Sequence, residues 1–310
     1  MEKEIKSFIR NNRIRIARLI SQIFFFILLN IGLFTSTYGL FLSSSISGII
    51  LPIEQSFVGP FSNISGSYNM LEYYISNAII PYLIAGILIL FGFIFGRSTC
   101  SWVCPFGFIQ ELIGYIPQTK IKPVQDTEDL LSNMPYVIIL ISLGLCFLVG
   151  VNRLSSPLAA PLGPFSNGPY TLMDPYVTLM SEIPWRLINR TFPVFTGDIF
   201  AYFADNAFLW IQIFFLLIIL MINIWIPQVY CRYLCPTGVI LGHFNEFSWF
   251  GLRRDPIRCL KEGCKICEEV CPMNIPILKL PYDKIQHRKC TYCLKCVEQC
   301  PENALKLYPI

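Results

Sequence analysis

Residues 207–238 read AFLWIQIFFLLIILMINIWIPQVYCRYLCPTG. The first twenty carry about 15 strongly apolar side chains, each favouring insertion into a bilayer by roughly 0.3 to 0.6 kcal/mol, several kcal/mol together. Gln212 and Asn223 do not cancel that sum. As a helix the run crosses about 30 Å of hydrocarbon; the alternative is a buried core helix. Directly behind it stands Cys231-Arg-Tyr-Leu-Cys235-Pro236-Thr-Gly238.

The same pattern, C-x-aromatic-aliphatic-C-P-x-G, occurs upstream as Cys100-Ser-Trp-Val-Cys104-Pro105-Phe-Gly107, behind the apolar run 78–96. Each copy leads into a short amphipathic stretch, 106–116 and 239–252. Two more apolar runs, 19–34 (extensible to 42) and 135–151, complete four expected spans. Pro81 and Pro135 fall at or near helix starts, where proline is tolerated. Residues 39–58 are apolar but broken by Ser and Gly, and read as re-entrant or interfacial. An even number of spans separates the two copies, so both lie at one membrane face, a parallel internal duplication.

Composition agrees. Of 310 residues 54% are hydrophobic and 14% charged, against about 25% charged in soluble domains, and the mean hydropathy is +0.54. The net charge of +4 is modest, and the basic residues bracket apolar runs instead of forming the stripe that nucleic acid requires. Lys3, Lys6, Arg10, Arg13, Arg15 and Arg18 precede the first run, Arg97, Lys120 and Lys122 follow the second, and twelve Lys and Arg follow the fourth. The connection 35–77 has none. By the positive-inside rule both termini and the middle loop are cytoplasmic, in a multi-pass protein of the cell membrane. Were the first run a cleaved signal peptide, the sidedness of the rest would not change.

The tail holds Cys290-x2-Cys293-x2-Cys296-x3-Cys300-Pro301, the spacing of the bacterial ferredoxin run for [4Fe–4S] ligation. An upstream copy, Cys259-x4-Cys264-x2-Cys267-x3-Cys271-Pro272, has two extra residues after Cys259. In tandem runs the fourth cysteine serves the other cluster. That assigns Cys259, Cys264, Cys267 and Cys300 to one cluster, and Cys290, Cys293, Cys296 and Cys271 to the second. A zinc site, and a first cluster without Cys259, are the competing readings. The tail is short and poor in large apolar residues, so bound metal must supply much of its stability. The expected fold is an all-α membrane domain of about four helices in two repeats, plus a C-terminal α+β ferredoxin-like domain. Its parts are a basic N-terminus at 1–18, a membrane domain at 19–252 and the cluster domain at 253–310.

Cys100, Cys104, Cys231 and Cys235 repeat the C-x3-C-P end of the ferredoxin run. If the repeats pack together they supply four thiols for a third centre, iron–sulfur or mononuclear. Redox-active or structural thiols and plain packing are the alternatives. On a helix the paired cysteines share a face, and the proline is expected to break the helix beside the second. Cys146, alone in the third run, reads as a small apolar filler. The spans lack histidine, which leaves a haem between helices without axial ligands, and they carry few ionisable residues, which argues against an ion pathway.

At these residues the chain resembles the NapH-type membrane ferredoxins and their NosR, MauN and YccM relatives, with four spans, two cytoplasmic C-x3-C-P motifs and a tail binding two [4Fe–4S] clusters. The resemblance implies electron transfer between a quinone pool or a cytoplasmic donor and a partner redox protein, as a subunit of an oxidoreductase system. The alternative is an assembly or regulatory protein that uses cluster electrons and the membrane-edge cysteines to mature another enzyme. The x4 spacing after Cys259 departs from the usual run.

Overall fold

Three helices in the computed structural model are long and apolar enough to cross a bilayer: Tyr82–Trp102, Asp126–Ser155 and Ala207–Trp225. The structure describes residues 12–30, 49–53, 64–116, 121–156, 162–188, 206–260, 263–282 and 284–309. The helices used below are α1 (Arg13–Leu29), α2 (Ser67–Ser76), α3 (Tyr82–Phe95), α4 (Thr99–Trp102), α5 (Pro105–Ile113), α6 (Gln125–Leu131), α7 (Met134–Ser155), α8 (Pro169–Met173), α9 (Ala207–Trp225), α10 (Val229–Tyr233), α11 (Pro236–Phe244), α12 (Ile266–Glu269) and α13 (Lys295–Glu298). The strands are β1 (Ile49–Leu51), β2 (Ile64–Gly66), β3 (Phe250–Arg254) and β4 (Leu305–Pro309).

The spans are inverted relative to a soluble helix. Leu140, Phe147, Phe214 and Leu217 face outward, while Gln212, Asn223, Ser142 and Cys146 are buried. Gln212 donates to the carbonyl of Leu172 at 2.6 Å and Asn223 to that of Gln110 at 2.7 Å. Polar side chains thus pair inside the bundle and apolar ones meet lipid, as expected without water in the hydrocarbon.

Four spans are not found among the described helices. The expected first one, α1, has 17 residues, about 25 Å at 1.5 Å per residue, and starts at Arg13, not Leu19. Arg15 and Arg18 join it because partners elsewhere in the chain receive them. Arg15 lies 4.6 Å over the Tyr115 ring, and Arg18 pairs with Glu111. The rest of that run, 31–42, lies outside the described residues. So does most of the re-entrant candidate 39–58; its residues Ile49–Leu51 form β1, paired in parallel with β2.

The second amphipathic stretch is also shorter than its pattern. α11 stops at Phe244, and from Phe250 the chain is strand, because Leu252 pairs opposite Leu307 in the antiparallel β3–β4 ladder. That ladder covers a small core of Leu252, Met273, Ile275, Ile277, Ile285 and Leu305. The one-turn helices α12 and α13 pack on each other beside it.

Candidate functional site: three cysteine quartets

Each proline of the C-x3-C-P motifs stands at a helix break beside the second cysteine, as expected: α4 ends at Trp102 and α10 at Tyr233, and the proline then starts a new helix. Cys104 caps α5 with Pro105 in its first turn, and Cys235 caps α11 with Pro236 likewise. Proline's missing N–H costs nothing there. The Gly238 N–H points at Cys235 Sγ at 3.2 Å. Gly107 must lack a Cβ, which would stand 2.4 Å from the Cys100 carbonyl oxygen. Cys100, Cys104, Cys231 and Cys235 are all buried, with exposures of 3 to 8%. Gln110 joins the halves, donating from Nε2 to Cys231 Sγ at 3.1 Å and accepting the Tyr230 N–H at 3.1 Å. Burial, then Cys104 and Cys100 nearby, push the Cys231 thiol well above its ordinary value, with Arg97 and Gln110 opposing.

In the tail, one cavity is lined by Cys259, Cys264, Cys267 and Cys300, and another by Cys271, Cys290, Cys293 and Cys296. Cys259 lines the first of these cavities despite the two extra residues that follow it. The second quartet is shaped by backbone in the left-handed region at Tyr292 (φ 48°) and Leu294 (φ 58°), the two neighbours of Cys293. Such residues cost about 1–3 kcal/mol each and persist where the surroundings over-determine them; Tyr292 is 3% exposed.

Burial first, and then Cys293 and Cys271, push the Cys290 thiol up to about 12, while the Tyr292 N–H opposes. Cys296 is pushed higher by burial and by Cys293, Cys290, Cys271 and Cys267. Sulfurs this crowded ionise together only around a cation, so the donor set fits a metal group. Among the described residues no three Cys, His, Asp or Glu converge on a single metal ion. A cluster asks each thiolate to bind a different iron, so wider spacing is compatible with it.

The second tail quartet is tied to both repeats. Trp102 Nε1 donates to the Tyr292 carbonyl at 3.0 Å, and Arg18 Nη1 to that of Cys293 at 2.6 Å. Asn245 Nδ2 donates to the carbonyls of Cys290 at 2.7 Å and His287 at 2.9 Å. Two buried carboxylates clamp the same loop. Glu111 takes Arg18 and, at 3.1 Å, Lys295; Glu128 takes Arg232 and, at 3.1 Å, Lys289. α11 approaches so closely that a Cβ on Gly242 would stand 2.4 Å from the Arg288 carbonyl oxygen, whereas one on Gly144 meets nothing within 4 Å. Gly242→Ala is expected to destabilise the protein by about 1–3 kcal/mol and Gly144→Ala hardly at all, as checked by thermal midpoints in detergent.

A model described as a 4Fe–4S binding domain matches residues 77–123 and 206–254, one match on each C-x3-C-P repeat. A second 4Fe–4S binding domain model matches 284–306. Similar proteins include an uncharacterized protein of Methanocaldococcus jannaschii, 27% identical over 76% of this chain and 74% of its own. The putative electron transport protein YccM of Escherichia coli is 27% identical over 66% of this chain and 49% of its own. The regulatory protein NosR of Stutzerimonas stutzeri is 28% identical over 66% of this chain and 23% of its own. The chain is a NosR- and YccM-like iron–sulfur membrane protein. It spans about half of that YccM and a quarter of that NosR. No solved structure matches the chain.

For an iron–sulfur membrane protein of this kind, two features were not visible in the spacing of cysteines. The first is the clamp: burial opposes ionisation of Glu111, yet Lys295 and Arg18 beside it hold its carboxyl below the usual value. The second is a pair of carboxylates, Glu72 and Asp174, both fully buried. Glu72 accepts from Thr171 N and Oγ1 at 2.9 and 2.8 Å, and Asp174 from Tyr230 Oη at 3.2 Å. Both residues come from connections, where a polar residue raises no signal, and the bundle folds those connections inward.

Proposed function

We propose that this chain conducts electrons between a centre at the membrane edge and a soluble redox partner, through two [4Fe–4S] clusters held by the tail. Cys271, Cys290, Cys293 and Cys296 would hold the near cluster, and Cys259, Cys264, Cys267 and Cys300 the distal one. Cys100, Cys104, Cys231 and Cys235 would hold the membrane-edge centre. When bound, each cluster exchanges single electrons. The observation that carries this reading is the asymmetry of attachment. The loop of the near quartet hydrogen-bonds to Trp102, Arg18 and Asn245 from both halves of the membrane domain. The distal quartet's cavity is lined by tail residues alone, from Arg254 to Leu305.

The chain's own residues hold the thiolates, exclude water from the near loop and leave the distal quartet at the free end, with both termini and the tail in the cytoplasm and four spans in the membrane. Among the described residues, an apolar groove of about 470 Å³ lies at the membrane edge between Phe25, Phe91, Phe95, Trp102, Tyr292 and Leu294. Its size falls within that of small-molecule pockets, and we assign it to a quinone, one wall away from the near cluster.

Anaerobically purified protein should contain about eight irons from the tail, more if the membrane-edge quartet is loaded, and a quinol analogue should reduce the clusters. Iron-free protein would end this reading. The regulatory role in the name of the similar NosR favours a second one, maturation of another enzyme. Replacing Cys100 and Cys231 separates them. Lost electron flux with the partner enzyme fully assembled supports conduction; a partner enzyme lacking its cofactor supports maturation.

A further inference from the structure

Four arginines are almost wholly buried: Arg18 (1% exposed), Arg97 (2%), Arg232 (3%) and Arg254 (2%). Two have carboxylates, Arg18 with Glu111 and Arg232 with Glu128. Among the described residues, Arg97 and Arg254 have none within ion-pair distance. A guanidinium stays protonated in a protein, and an isolated buried ion costs several kcal/mol.

What surrounds these two is carbonyl oxygen. Arg97 donates to the Cys231 carbonyl and, at 3.4 Å, to that of Arg288. Arg254 donates to the carbonyls of Ile277, Leu278 and Leu280 at 3.2, 3.3 and 3.0 Å, and lies 4.3 Å over the Tyr282 ring. Carbonyl dipoles orient a cation without neutralising it, and in both residues Nε has no partner. Yet each stands beside a cysteine quartet. Arg254 lines the cavity of Cys259, Cys264, Cys267 and Cys300. Arg97 bridges the carbonyl of Cys231 and the segment two residues before Cys290, and passes so close to Gly238 that a Cβ there would lie 2.7 Å from Nη2. In the first repeat a Cβ on the matching Gly107 would instead meet the Cys100 carbonyl oxygen. The second repeat is therefore opened for this guanidinium.

We propose that Arg97 and Arg254 are the counter-charges of the metal–thiolate centres, Arg97 shared by the membrane-edge centre and the near cluster, and Arg254 serving the distal cluster. This rests on the reading that the quartets hold iron. A four-thiolate cluster is a net anion in both redox states and more so when reduced. A fixed cation beside it therefore favours the reduced state and raises the potential. The two arginines are positioning residues that act on the clusters through charge.

The test is an EPR-monitored redox titration of the full chain in detergent, with iron counted in every sample. Arg254→Gln is expected to lower the reduced-to-oxidised ratio of the distal cluster about tenfold at a fixed potential, 59 mV for one electron, leaving the near cluster unchanged. Arg97→Gln is expected to do the same to the near cluster alone within the tail. Arg→Lys, which keeps the charge, should retain most of each midpoint. Full iron with unmoved midpoints in both Gln variants overturns the proposal while leaving the clusters standing; iron-free wild type instead fails the underlying reading. Should a Gln variant lose its iron, retention by the Lys variant supports the proposal, and loss in both overturns it.

Discussion

Cys293→Ala is expected to remove the near cluster and loosen the whole tail, reducing iron by about four per chain and exposing the tail to protease. Cys293 lies between two residues in left-handed backbone, Tyr292 and Leu294, and its carbonyl accepts Arg18. Losing one thiolate strips the cluster, and the strained loop then keeps only its hydrogen bonds and ion pairs to the rest of the chain. The core of the tail is a handful of residues around Leu252 and Ile285, too small to stand alone. In small metal-held domains the free energy of metal binding is folding free energy, so the loss should exceed any repacking. Iron counting with limited proteolysis checks this, and Cys146→Ala, in α7 and outside the lining of both tail cavities, should leave both unchanged. Full iron in Cys293→Ala would show that the quartet is misassigned.

Glu128→Ala carries the second-largest effect. Its carboxylate is fully buried and takes Arg232 Nε at 2.8 Å, Lys289 Nζ at 3.1 Å and Tyr233 Oη at 2.6 Å. Removing it leaves Arg232 buried without a counter-charge, at a cost of about 3–5 kcal/mol, a factor of roughly a hundred to several thousand in the docked population of the tail. Protease accessibility of the 250–309 segment should rise steeply while its iron remains bound. Glu182→Ala is the contrast. It breaks a half-exposed pair with Arg186 four residues on, of a kind that contributes about 0.3–0.5 kcal/mol, and should change nothing measurable. Unchanged docking in Glu128→Ala would mean that the carbonyl contacts of Trp102 and Asn245 suffice.

Much of this molecule is legible in one dimension because the physics involved is local. A run such as 207–226 carries its own insertion energy residue by residue. Ligands that must wrap one cluster from one loop have to be close in sequence, so Cys290, Cys293 and Cys296 announce themselves. The repeat at Cys100 and Cys231 is visible for the same reason. Local reading failed where an outcome depended on distant partners: α1 begins early because Glu111 receives Arg18, and α11 ends early because Leu252 has Leu307 to pair with.

From its sequence alone, then, this protein was determined to be a membrane chain with clustered thiols and a ferredoxin-like tail, since hydropathy and ligand spacing are properties of consecutive residues. Only the tertiary structure decided which tail quartet is hydrogen-bonded to the span-bearing part of the chain, which carboxylates clamp it there, and which arginines are buried without a carboxylate. Arg18 and Glu111 are 93 residues apart, and Arg232 and Glu128 are 104 apart. The burial that makes a charge consequential exists only once distant segments have closed over it.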